Sequence, residues 1–288
     1  MNLNETVALI RGLHRQRRFA MKVQQKLDRS LESFIRINAT EWNPNADDAD
    51  REKANRHVRE IIKSIRDGTP HDLADEVHMA DAARYPADTR RAAAEKAMEK
   101  AAKELPVFRW IESIRGAGAL GLATIVAEAG DLANYPNPAK LWKRLGFAPF
   151  DGYAGSTWKR ATWRPRTLTA EEWIANPFSG ERYALMSQIA TWLVNAQWIA
   201  GDKKAGEEGR PNGPYGEVYA VRRKQTLASH SDWTDGHRRK DALRIAMKAF
   251  LRDLWAEWNP DAIVVRTRIR HEKVKVKRTA RHTPRVAA

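Results

Sequence analysis

Three glycines interrupt a mostly apolar, alanine-rich stretch, IESIRGAGALGLATIVAEAG, at residues 111–130. Its composition favours helix, yet each glycine inside a helix costs about 1 kcal/mol relative to alanine. Gly116, Gly118 and Gly121 together therefore predict two short helices that meet at a tight turn rather than one continuous helix. Positive φ angles suit glycine in such a turn. Gly121 and Ala123 are small enough to let the helices pack closely. The N–H groups at the start of the second helix, aided by its dipole, are oriented to hold a phosphate oxygen. The same glycines also fit a purely structural junction between two helices.

The rest of the chain repeats helical spacing and lacks the strand–helix alternation of a parallel sheet. Leu3, Val7, Ile10, Leu13, Ala20, Leu27, Leu31 and Phe34 predict a long helix over 3–36, closed by Asn43-Pro44-Asn45. Arg15, Arg17, Arg18, Lys22 and Arg29 lie between them and give that helix a cationic face. A second helix is expected at 48–66, a third at 87–105 and a short one at 138–145. A mixed loop spans 150–180, and a Gly-rich linker spans 201–216. Further helices are expected at 180–200, with Ile189, Trp192 and Leu193 inward, at 217–228, and at 236–258. In the last of these, Leu243, Met247, Phe250, Leu251, Leu254 and Trp258 form one stripe. The tail at 263–278 alternates with strand period and is read as a basic β-hairpin arm or as a strip ordered by binding. The expected fold is mainly α. A coiled-coil arm occupies 1–106, a helical domain holding the glycine turn 107–258, and a basic tail 259–288.

Charge points to the partner. Lys and Arg number 51 against 36 Asp and Glu, a net charge of +15, and nucleic acid is the commonest polyanion to meet such a surplus. No run of 18 apolar residues is present to span a bilayer, and MNLNETVALIRGLHRQRR lacks the order of a secretory leader. Cysteine is absent, which excludes thiolate zinc sites and disulfides and fits a cytoplasmic protein. No cofactor or metal is expected: Asp47, Asp48 and Asp50 sit where a helix starts, so capping accounts for them. Tryptophan occurs 11 times, mostly beyond residue 140, as core anchors or as stacking surfaces for bases. His230 and His237, beside Asp232 and Asp235, read as surface or capping residues.

The segment IRGAGALGLATIVAEAGDLANYPNPAKLWKRLGFAP, residues 114–149, resembles the C-terminal domain of the insertion-sequence 110/116/902 transposases. That family pairs a similar helix–hairpin–helix with an aromatic-Pro turn and a Leu-Gly-apolar-x-Pro segment. SGERYALMSQIATWLVNAQ (179–197), PYGEVYAVRRKQ (214–225) and GHRRKDALRIAMKAFLRDLW (236–255) are similar to its later helices, and 3–36 to the preceding coiled coil. The resemblance implies recombination of nucleic acid, with DNA as partner and a structured or guide RNA as an alternative. The family's ribonuclease-H-like domain, which holds metal-binding acids, has no counterpart before residue 3, and alanine stands where its nucleophilic serine is expected. Ser156, two residues on, is the candidate catalytic residue; Ser179-Gly180 has the right dipeptide but lies late.

The resulting expectation is a nucleic-acid-binding protein that performs no catalysis of its own. Arg115, Gly116, Ala117 and Gly118 in the turn, with Arg15, Arg18, Lys22, Lys143, Arg144, Lys159, Arg160, Arg266, Arg268 and Lys275, are its candidate contacts. A homo-oligomer formed through the N-terminal helix is a further expected partner. The alternatives are a serine-dependent transposase and a phage or mobile-element structural protein that touches nucleic acid.

Overall fold

The computed structural model describes residues 2–40, 42–150, 153–154, 178–201 and 209–261. Among them the protein is mainly α, as the periodicity predicts. The helices are α1 (Leu3–Ala39), α2 (Asp48–Arg66), α3 (Ala74–Ala102), α4 (Phe108–Glu112), α5 (Ala119–Ala129), α6 (Pro138–Arg144), α7 (Gly180–Ala196), α8 (Pro214–Ser229) and α9 (Asp235–Trp258). Two antiparallel pairs of two-residue strands join them. Pro149–Phe150 faces Tyr153–Ala154, and Trp198–Ile199 faces Arg210–Pro211. Of the second pair, Trp198–Ile199 takes the end of the stretch expected as helix, and Arg210–Pro211 lies inside the expected linker. The tail read with strand period and Ser156, Lys159, Arg160, Arg266, Arg268 and Lys275 lie outside the described residues.

Residues Arg11–Lys100 make one compact unit, and the described residues before and after them make a second. Within the first unit α2 starts at a side-chain cap: Asp47 Oδ1 accepts from the Asp50 amide at 2.8 Å. Such a cap is worth about 1 kcal/mol. Val58, Ile61, Ile62 and Ile65 of α2 then bury against Leu31, Ile35 and Val77.

The burial of α1 departs from expectation. Val7, Ile10, Ala20 and Leu31 are buried, but Leu13 and Leu27 are only partly covered and Phe34 is exposed. His14, Arg17 and Gln24 are buried instead, at 4–5% exposure. Arg17, expected on the cationic face, reaches Glu95 of α3 at 2.7 Å, and Arg91 bonds the same carboxylate at 3.0 Å. Gln24 bonds Asp88, and Arg84 joins Asp28 at 2.6 Å and Asp88 at 3.2 Å. A ladder of polar pairs thus replaces hydrophobic layers along the middle of α1 and α3.

α3 also begins earlier than expected and runs through Pro86. A proline removes one backbone bond and crowds the preceding turn, at a cost of about 3 kcal/mol. Arg66–Asp81 and Arg84–Asp28 hold the half before Pro86, while buried Ala87, Ala94 and Met98 hold the half after it. Tertiary contacts outweigh the local break.

In the second unit α9 is the central element and packs against α6, α7 and α8. Ala242 and Ala246 let it approach Val194 and Tyr219, while Met247, Phe250, Leu251, Leu254 and Trp255 fill the core. Full burial of a side chain such as Phe250 stabilises by about 1.5–3 kcal/mol. Trp258 is only partly covered, and its Nε1 donates to Asp131 Oδ1 at 2.9 Å.

Candidate nucleic-acid interface

The chain between α4 and α5 turns through successive short-range bonds. Ser113, Ile114 and Ala117 amides donate to Trp110, Ile111 and Ile114 carbonyls at 3.0–3.1 Å. Gly116 takes φ +88° and Gly118 φ +58° with ψ 158°, a region open in practice only to glycine.

The two glycines do different work. A Cβ at Gly116 would lie 2.7 Å from Ala196 Cβ and 2.9 Å from both Leu193 Cα and the Trp192 carbonyl oxygen. Gly116 is thus the point where the turn presses on the backbone of α7. Gly118 is exposed, meets nothing within 4 Å, and starts α5 without a side-chain cap. The first intrahelical bond there runs from the Leu122 amide to the Gly118 carbonyl at 3.1 Å. The amides ahead of it have no intrahelical partner and lie at the positive end of the α5 dipole. Gly121, expected to permit tight packing, would place a Cβ 3.8 Å from Ile189 Cγ2, an ordinary contact. The close approach is made at Gly116 instead.

Ala117 is buried, so it shapes the turn. Arg115 is exposed, and its Nη2 donates to the Asn212 carbonyl at 2.8 Å. The Arg115 carbonyl in turn accepts from Gln197 Nε2 at 3.0 Å. Gln197 is 1% exposed, and its Oε1 accepts from the amides of Tyr215 and Gly216 at 2.9 and 3.3 Å. It therefore supplies the cap that Gly213 cannot give α8. Only the continuation of the buried stripe Met186, Ile189, Ala190, Leu193 and Val194 by one more turn points to Gln197 in the sequence.

Lys143 and Arg144 end α6, both exposed. Arg144 Nε donates to the Glu128 carbonyl at 3.2 Å, and Arg182 Nε pairs with the buried Glu128 carboxylate at 2.9 Å. These bonds join the ends of α5 and α6 to the start of α7. Ser179 caps α7, its Oγ accepting from the Arg182 amide at 3.3 Å. Arg15, Arg18 and Lys22 follow one strip of α1 in the other unit.

Electrostatics in the second unit centres on arginine. Burial pushes the Asp241 carboxyl up, but hydrogen bonds from Arg244 and Arg222 outweigh it and hold the group below the usual carboxylate range. Burial, aided by Arg244, lowers the Lys248 ammonium, which sits 5.2 Å from the Trp142 ring. His230 and His237 stack on the two faces of Trp233 at 4.2 and 4.0 Å, and Asp235 pairs with Arg223.

Most described tryptophans are anchors. Trp110 stacks on Phe250, Trp198 meets Tyr219 edge-on, and Trp142 and Trp255 donate to the Lys248 and Tyr135 carbonyls. Trp192, expected to point inward, is 46% exposed. Among the described residues no three His, Asp or Glu group so as to hold a metal ion, and no helix is long and apolar enough to cross a membrane.

Residues 109–167 match the model of the Transposase IS116/IS110/IS902 family. No curated protein and no solved structure matches the chain. The matched stretch takes in most of α4, the glycine turn, α5 and α6, the elements that carry the exposed amides and the basic end of α6. The segment built around that turn is thus similar to the transposase IS116/IS110/IS902 family.

Proposed function

We propose that this chain binds nucleic acid, with the Gly118 turn holding a backbone phosphate, and that it does so without catalysing strand transfer itself. The observation that carries the reading is the uncapped, solvent-facing start of α5 within the family-matched segment. Glycine leaves that site sterically open, so a phosphate oxygen can approach the amides directly. The net charge of +15 supplies the sequence-independent attraction. Arg115 in the turn, and Lys143 and Arg144 at the end of α6, are the candidates for further phosphate contacts. Arg266, Arg268 and Lys275 extend the proposal to the tail.

The test is fluorescence anisotropy with a labelled DNA duplex and a structured RNA over a salt series. Affinity should fall steeply between about 50 and 200 mM salt. Charge reversal at Lys143 and Arg144 should reduce the slope by about one for each phosphate that the variant no longer holds. Affinity that stays flat over that range overturns the proposal. A covalent protein–DNA adduct that Ser156→Ala abolishes would favour the serine-dependent alternative.

Self-association through α1 is part of the same proposal. An open groove of about 660 Å3 between α1 and α3 is lined by Leu13, Phe19, Ala20, Val23, Ala87 and Ala94, with Phe19 69% exposed. Sedimentation should give a multimer that Leu13→Glu and Val23→Glu dissolve, and a monomeric mass for the wild type overturns this part.

A further inference from the structure

Trp192 lies off the buried stripe of its helix. Met186, Ile189, Ala190, Leu193 and Val194 turn inward, while the indole of Trp192 stays nearly half exposed. A tryptophan left in water forgoes the burial that makes this side chain useful in a core. Helical periodicity does not demand the residue here, so its value lies at the surface.

Its position connects it to the glycine turn. The Trp192 carbonyl oxygen is one of the three atoms that a Cβ at Gly116 would strike. Helical side chains lean toward the N-terminal turn, so the indole lies back toward the level of Ile189. Ile189 is the residue nearest Gly121, in the first turn of α5. The backbone at Trp192 thus meets the glycine turn and Ile189 meets the first turn of α5, while the Trp192 side chain stays exposed. The neighbouring turn favours an anion: it carries the uncapped start of α5 and the exposed Arg115. An apolar protein patch would have to cover this electropositive rim, whereas a nucleotide presents a flat ring and a phosphate together.

We infer that Trp192 is a stacking platform for an unpaired nucleobase whose phosphate lies on the Gly118 turn. The inference rests on the nucleic-acid reading above and narrows it to strands with an unstacked base, because a base inside a duplex offers no free face. Stacking on an exposed indole is tolerant of sequence, so the platform selects strand state rather than sequence.

The experiment measures binding of single-stranded DNA, single-stranded RNA of the same sequence, and the corresponding duplex to the full chain at one fixed salt concentration. Wild type, Trp192→Ala and Trp192→Phe are compared, with circular dichroism and thermal melting as controls for folding. Trp192→Ala should weaken single-strand binding by about tenfold or more, leave duplex affinity unchanged, and be largely restored in Trp192→Phe. The DNA and RNA arms show which strand supplies the base. Equal loss on single strands and duplex, no loss on single strands, or wild-type binding to duplex alone overturns the platform. Absence of wild-type binding to any of the three overturns the nucleic-acid reading itself. If Trp192→Ala unfolds, Trp192→Phe set against Trp192→Leu decides: equal single-strand affinity in the two overturns the platform.

Discussion

Gln197 donates its side-chain amide to the carbonyl oxygen of Arg115 at 3.0 Å, from a position only 1% exposed. The same side chain accepts the first amides of α8 from Tyr215 and Gly216, and its own carbonyl accepts from the Asn212 amide at 2.8 Å. Replacing Gln197 with Met keeps the bulk and strands three polar groups. A loss of about 3 kcal/mol is expected, from about 1 kcal/mol or more for each buried group left unpaired. Urea unfolding measures it; a loss below about 1 kcal/mol would show that water replaces the bridge.

The three glycines of the turn should rank by space and backbone angle. Gly116→Ala meets both a positive φ and backbone atoms of α7, so it should be the most damaging, by about 3 kcal/mol or more. Gly118→Ala has room and suffers only its backbone angles, at about 1–3 kcal/mol. Gly121→Ala should be neutral or stabilising by up to about 1 kcal/mol. Thermal melts of the three variants give the order, and equal shifts would refute it.

Asp241 makes stability depend on acid. Its folded carboxyl titrates below the unfolded one because Arg244 and Arg222 outweigh the effect of burial. Its contribution is therefore complete above the unfolded value near 4 and is lost as pH falls through the lower folded value. Asp241→Asn should cost about 2 kcal/mol at neutral pH, and the gap to wild type should close below about pH 4. A gap that stays constant with pH would exclude the ion triad as its source.

Arg17 and Glu95 should show strong coupling. Arg17→Leu leaves the Glu95 carboxylate with Arg91 alone, and Glu95→Leu leaves a buried guanidinium without its anion. Breaking a buried pair costs about 3–5 kcal/mol; Glu95 is partly exposed, so the lower end applies here. The double variant should recover most of the loss, because apolar replacement of both partners is often close to neutral. Additive losses in a double-mutant cycle would contradict this.

How much was legible follows from which forces act locally. The bounds of α2 and α9 were readable because Asp47 and Thr234 cap them and their apolar residues repeat cleanly. The positive φ angles at Gly116 and Gly118 were likewise foreseeable from residue type alone. The passage of α3 through Pro86 was not, since only contacts with α1 and α2 hold both halves. The burial of Arg17 in α1 was hidden for the same reason: it reads as surface until Glu95 faces it. Trp192 read as core because its neighbours Leu193 and Ile189 are, and a rotation of one residue on a helix changes its side. Gln197 carried no local signal beyond its place one turn past a buried stripe.

The polar pairs between α1 and α3 impose a constraint that leucines in their place would not. Apolar layers tolerate a slide of one heptad, since one leucine resembles the next. Here the rungs differ: arginine faces glutamate, then glutamine faces aspartate, then aspartate faces arginine. A shifted alignment would bring unlike rungs together and bury unmatched charge. The two helices therefore fit in one register only, and a change of charge on one rung requires a matching change across from it.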